Sequence, residues 1–239
     1  WLGGYSRNVR YELVTNKVEP YMELPTLAAF AFYEDEQKHI WAAGGMTLYE
    51  YPTEELNPTI YKNKDKYVGY SVVFDNKITS KVFIGAEKVL LYFDKKTKVT
   101  QPLPAFKNKE VWARQFYQNE QGIWIVSSKG LFLMNPKTEE IVRNYTMKDG
   151  FPTNNLTHIH EDNTGAFWIA TKGEGLLYWD FAKNNIIQYT TANGLSNNTL
   201  YAVYEDAYNN LWLPSDYGLM GFNKQTTTTQ IYLPQNGIL

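Results

Sequence analysis

The chain contains no cysteine among its 239 residues, which excludes disulfides, thiolate nucleophiles and cysteine-ligated metals. No apolar run approaches the roughly 18 residues of a membrane span, and no signal-peptide pattern is found in its first residues. Net charge is nearly absent, 23 Lys and Arg against 25 Asp and Glu. The basic residues are dispersed, so the footprint of a nucleic-acid binder is missing. The locally basic run Lys62-Asn63-Lys64-Asp65-Lys66 reads as a solvated loop. Helical periodicity is absent too: no window of eleven or more residues keeps apolar residues at i, i+3, i+4 and i+7, and helix content is expected near zero.

What is abundant is aromatic: 7 Trp, 19 Tyr and 12 Phe, within a hydrophobic fraction of 44% that suffices for a sizeable core. These residues recur. Asp149-Gly150-Phe151-Pro152-Thr153-Asn154-Asn155-Leu156 leads to Glu161-Asp162, then Phe167-Trp168-Ile169, then Gly175-Leu176-Leu177-Tyr178-Trp179-Asp180. Forty-four residues on from Trp168, the same order runs from Asn193-Gly194-Leu195-Ser196-Asn197-Asn198 through Glu205-Asp206 and Leu211-Trp212-Leu213 to Gly218-Leu219-Met220-Gly221-Phe222-Asn223. The anchor position is traced to Trp1, Trp41, Phe83, Trp124, Trp168 and Trp212, at steps of 40, 42, 41, 44 and 44. A fixed period of this length signals stacked supersecondary units.

Asp35, Asp162 and Asp206 lie six residues before their Trp, with Asp75 and Asn119 approximating the position; the acid is assigned to a turn. After each anchor an apolar run closes on an acid or amide: Glu12, Asp94, Asn135, Asp180 and Asn223, with Leu48 to Pro52 a looser fit. Each repeat divides into four short runs rich in β-branched and aromatic residues, in the fifth Thr157–Glu161, Ala166–Thr171, Gly175–Asp180 and Ile186–Thr190. A lone four-stranded meander cannot bury both apolar faces. Radial packing solves this, so the expected fold is an all-β propeller of four-stranded antiparallel blades, rather than a sandwich, which would not require the period. The expected domain is one propeller over residues 1–239, with five complete repeats and a partial one. Trp1 to Gly4 reads as the second strand of the first repeat and Asn236 to Leu239 as the lead-in to another, the pattern of a piece of a seven-bladed propeller.

The residues of these two best repeats, Gly194 to Asn198, Glu205-Asp206, Leu211 to Leu213, Gly218-Leu219 and Phe222-Asn223, with Asp149 to Asp180, resemble the two-component regulator propeller repeat. The earlier repeats match it through the anchor and the strand spacing. The resemblance implies a module from the periplasmic, membrane-anchored sensor half of a hybrid histidine kinase, responding to oligosaccharides released from complex glycans. It also implies a neighbouring propeller or a second copy as partner, with no catalysis in the module itself.

Other features weigh less. His158 and His160 sit two apart on one strand and so share a face, but no third ligand is at hand; neither metal nor cofactor is expected. The pairs Glu161-Asp162 and Glu205-Asp206 could suggest glycoside hydrolysis, yet they recur once per repeat at a turn, as catalytic residues seldom do. Ser127-Ser128-Lys129-Gly130 has no nucleophile-elbow pattern. Asn144, Asn155 and Asn197 open N-glycosylation triplets that would be inert in a bacterial protein. Propeller geometry gathers the second-to-third strand loops on one face with the connections between blades. These loops are Gly44-Gly45, Ala86-Glu87-Lys88, Ser128-Lys129, Lys172-Gly173-Glu174 and Ser215-Asp216-Tyr217. From them Lys129, Lys172, Glu174, Asp216 and Tyr217 are the candidate ligand-binding residues. The rival readings are a propeller lyase or glycosidase, marked by unlike charged residues around the axis, and a protein-binding scaffold, marked by exposed blade faces and edges.

Overall fold

The computed structural model describes residues 9–12, 17–20, 31–52, 58–62 and 69–233. The readings made of Trp1 to Gly4, of residues 63–66 in the basic run and of Asn236 to Leu239 fall outside them. The described residues form a strand pair, β1 (Val9–Glu12) with β2 (Lys17–Pro20), and five four-stranded sheets. The second repeat is β3 (Ala31–Glu34), β4 (Ile40–Gly44), β5 (Thr47–Tyr51) and β6 (Thr59–Lys62). The third is β7 (Val72–Asn76), β8 (Lys81–Ala86), β9 (Val89–Asp94) and β10 (Val99–Pro102). The fourth is β11 (Ala113–Asn119), β12 (Gly122–Ser127), β13 (Gly130–Met134) and β14 (Ile141–Tyr145). The fifth is β15 (Leu156–Glu161), β16 (Phe167–Thr171), β17 (Leu176–Asp180) and β18 (Asn185–Tyr189). The sixth is β19 (Tyr204–Glu205), β20 (Asn210–Ser215), β21 (Gly218–Asn223) and β22 (Thr229–Tyr232).

Strands in every sheet lie side by side in chain order, and the pairings are antiparallel, as a meander of short connections requires. Helix among the described residues amounts to three 3₁₀ turns of three residues each: Pro104–Phe106, Met147–Asp149 and Thr191–Asn193.

The chain divides into two compact units, Trp1–Phe116 with Met134–Ile141, and Tyr117–Leu133 with Val142–Leu239. In the first, Trp41, Ala43 and Leu48 of the second sheet pack against Tyr70, Val73, Val82, Ile84, Leu91 and Phe93 of the third. In the second, Trp124 packs against Phe167 and Trp179, and Trp168 against Leu211, Leu213 and Phe222. The anchor indoles of Trp41, Trp124 and Trp168 are thus each covered by the sheet of the next repeat. Burying a side chain of this kind removes roughly 150–250 Å² from water, about 4–6 kcal/mol gross.

Second strands such as Ile40–Gly44 and Phe167–Thr171 are buried at every residue because both of their faces are covered. Fourth strands such as Thr59–Lys62 and Asn185–Tyr189 alternate with solvent or face it throughout. That gradient explains why the second strand of each repeat is a continuous apolar run in the sequence and the fourth is not.

Candidate ligand-binding loops

At one end of the sheets the turn acids are spent on structure. Asp162 Oδ1 accepts from Thr164 N at 2.9 Å and Thr164 Oγ1 at 2.6 Å, while Oδ2 accepts from the Trp168 indole at 2.9 Å. Asp206 repeats this with Tyr208 N at 2.8 Å, Asn210 N at 2.9 Å and Trp212 at 3.0 Å. Asp35 does so with Gln37 N, His39 N and Trp41, and Asn119 with Gln121 N and Trp124. Burial alone would push Asp162 and Asp35 up, but hydrogen bonds and a nearby lysine outweigh it and hold both carboxyls below their ordinary range.

The turn assignment therefore holds, with one correction. In the third repeat the equivalent residue is Asn76, not Asp75: Asn76 Oδ1 accepts from Ile78 N at 3.3 Å, and its amide donates to the Pro136 carbonyl at 2.9 Å. The Phe83 ring has no N–H to offer, so Asn76 lacks the indole donor that Asn119 has in Trp124.

The companion glutamates are also engaged. Glu161 accepts from Tyr117 Oη at 2.9 Å and Asn119 Nδ2 at 2.7 Å; burial and this carboxylate push the Tyr117 hydroxyl up to about 12. Glu205 pairs with His160 Nε2 at 2.9 Å and with Lys224, whose ammonium also stands 3.6 Å from Asp162 Oδ2. Lys95 spans Asp75 at 2.8 Å and Asp35 at 3.5 Å in the same way in the other unit. His158 Nδ1 accepts from Val203 N at 3.4 Å and its ring lies 4.9 Å from that of Tyr204; burial, then His160, lower it to about 4. Both histidines thus hold the chain leading into β19, and among the described residues no cluster of three or more His, Asp or Glu could hold a metal.

The other end of the second unit carries three copies of one loop. Ser127, Thr171 and Ser215 donate through their hydroxyls to the carbonyls of Gly130, Gly175 and Gly218 at 2.8, 2.8 and 3.0 Å. The same oxygens accept from the backbone N–H of Lys129, Glu174 and Tyr217 at 3.0, 3.1 and 3.1 Å. Loop backbones are pinned alike while the tips differ, the arrangement expected where side chains rather than backbone are selected.

The connections between sheets run beside these loops. Gly130 N donates to the Asn154 carbonyl at 2.8 Å and Lys172 N to that of Asn155 at 2.9 Å; Gly173 N and Gly175 N donate to that of Asn198 at 3.1 and 2.8 Å. Asn154 and Asn198 accept through their side chains from Met147 N and Thr191 N, each at 2.8 Å, fixing the 3₁₀ turns. Thr146 and Thr190 cap those turns, and Gly150 and Gly194 leave them at φ 100°. The repeated Gly-x-x-x-Asn stretch is thus scaffold for the loop row.

Of the five candidates, Lys129, Lys172, Asp216 and Tyr217 are exposed at the tips. Glu174 is half-buried, and Gln188 Nε2 donates to both its carbonyl, at 2.9 Å, and its carboxylate, at 3.1 Å. Lys172 lies beside Thr199, and Asp216 accepts from the Tyr201 hydroxyl. Tyr201 was not legible as a candidate, because nothing in its spacing distinguishes it from a core tyrosine.

These sheets are the blades of a β-propeller, as the period predicts. No family model matches the chain. A histidine kinase, P4, of Formosa agariphila is 26% identical over 211 residues, covering 80% of this chain and 15% of that protein. The extracellular domain of a hybrid two component system from B. thetaiotaomicron aligns with TM-score 0.71 and 20% identity, over 88% of this chain and 29% of that one. The WD40 beta propeller domain of Doa1 aligns with TM-score 0.61 and 10% identity, over 84% and 66%. The chain therefore spans 15% of its curated relative's length and under a third of the bacterial sensor domain. The resemblance to two-component regulator propeller repeats is supported by these matches.

Proposed function

We propose that the chain is an extracytoplasmic, non-enzymatic sensing module of a membrane-anchored two-component sensor. Its ligand is an oligosaccharide derived from a glycan, held at the loop row that presents Lys129, Lys172, Asp216 and Tyr217. The observation that carries this reading is the threefold loop with constant scaffold and changing tip. It is supported by the likeness to a histidine kinase and to an extracellular sensor domain, and by the structural employment of every paired acid in the second unit, which leaves Glu161, Asp162, Glu205 and Asp206 committed to turns, rings and lysine. Ligand occupancy changes how the module packs on a neighbouring propeller or second copy, which requires different affinities for the two arrangements.

The chain should retain components of oligosaccharide pools made by partial hydrolysis of bacterial, plant and algal polysaccharides, and return them unaltered in mass. Shortened or unsaturated products would make it an enzyme; no retention from any pool would remove the sensing assignment.

A further inference from the structure

The loop row contains a subsite that the sequence does not announce. Tyr201 lies between two of the loops: Leu200 N donates to the Thr171 carbonyl at 2.9 Å, and Tyr201 N to the Pro214 carbonyl at 2.9 Å. Its backbone is therefore tied to the Thr171 loop on one side and the Ser215 loop on the other. Its hydroxyl donates to Asp216 Oδ1, so the ring is fixed at both ends, yet it stays 54% exposed. Next to Asp216, Tyr217 is 59% exposed, with its own N–H held by Ser215 Oγ. Tyr208, 83% exposed on the tip of a turn, shows the contrast: its N–H caps Asp206 and no ring or hydroxyl contact holds its side chain among the described residues.

A scattered exposed aromatic needs no explanation. A ring held in place by a carboxylate differs, because its rotamer entropy is already lost before anything binds. Resting on the sensing reading above, we propose that Tyr201, Asp216 and Tyr217 form a saccharide subsite. The Tyr201 ring offers a flat face for the C–H side of a pyranose. Asp216, with Oδ1 fixed by the tyrosine hydroxyl, accepts from sugar hydroxyls through Oδ2. Tyr217 closes the subsite from the adjacent loop position. The class of ligand is an uncharged pyranose unit with adjacent free hydroxyls; a carboxylated or sulfated ring would meet the Asp216 charge. Glu174, held by Gln188, takes no part.

The test uses an array of defined neutral and acidic oligosaccharides, with the affinity of any retained glycan then measured by calorimetry. Tyr201→Ala should weaken binding about tenfold or more, the scale of a lost stacking contact. Tyr201→Phe keeps the ring and loses the pin, so it should weaken binding by about threefold. Asp216→Asn should also weaken it, and none of the three should shift the melting temperature, because all are surface changes. Selective retention of acidic glycans, or unchanged affinity in Tyr201→Ala and Asp216→Asn while Lys172→Ala abolishes it, would overturn the subsite and leave the sensing reading in place. Retention of no glycan by the parent chain would overturn both.

Discussion

The fold is held at residue scale by a pairing of indole and carboxylate that serves two purposes at once. One oxygen of Asp162 caps the turn that begins at its own position, and the other takes the Trp168 N–H. A buried indole nitrogen without a partner would cost about 1–3 kcal/mol, as would the abandoned acceptor. Trp168→Phe should therefore lower unfolding free energy by about 1–3 kcal/mol in urea titration, through the lost bond and the smaller ring. Trp212→Phe should cost less, since its ring is less deeply covered than those of Trp124 and Trp168.

The half-buried His158 makes a second prediction. His158 ordinarily titrates near 6.5 and here near 4, so the unfolded chain binds a proton that the fold refuses between those values. Stability is fully present above about pH 6.5 and falls as pH drops toward 4, by about 3 kcal/mol for this group. His158→Asn keeps an acceptor for Val203 N and removes the titration. Its stability curve should be flatter than that of the parent between pH 6.5 and 4; parallel curves would show that His158 is protonated in the fold. Sequence reading located the histidines on one strand face but not their partners, because Val203 and Glu205 come from the next repeat, more than forty residues on.

Among elements, strands were read from the sequence to within a residue in the fifth repeat: Leu156–Glu161, Phe167–Thr171, Leu176–Asp180 and Asn185–Tyr189. They were legible because turn residues punctuate them and burial on both faces makes the second strand continuously apolar. The slip between Asp75 and Asn76 arose where Phe83 replaces the indole, so the partner that would have marked the acid is missing. The 3₁₀ turns with Thr caps were not read, since three residues carry no periodicity.

The loop glycines separate conformation from space. Gly175 has φ 76°, and a Cβ there would stand 2.0 Å from the Tyr189 carbonyl oxygen, whereas Gly173 has φ 105° with nothing within 4 Å. Gly175→Ala must displace β18 or the loop and should cost about 3 kcal/mol or more; Gly173→Ala should cost about 1–2 kcal/mol, the backbone strain alone. Chemical denaturation of the two variants compares them directly. Equal losses would mean that β18 yields freely, and the loop row would then not be the rigid scaffold described above.

For the whole molecule, the repeat that made the architecture legible also concealed the residues proposed as the site. Periodic residues are by their nature structural, and the Asn154 and Asn198 stretch that carries the family resemblance supports the loops through its hydrogen bonds. The tips that vary from copy to copy carry the residues proposed for recognition, and the contact of one of them, Glu174, with Gln188 was not read because Gln188 sits on a strand that sequence patterning leaves featureless. Binding at the tips and stability at the turns are thus assigned to opposite ends of the blades in the second unit.

The most direct test is induction of a reporter gene by the intact sensor, exposed to the oligosaccharide that the chain retains, in strains carrying Lys172→Ala with Tyr217→Ala or carrying Tyr208→Ala at the opposite end. The account predicts that the loop pair abolishes induction at unchanged sensor abundance while Tyr208→Ala leaves it intact. Full induction by the loop-pair strain would contradict it.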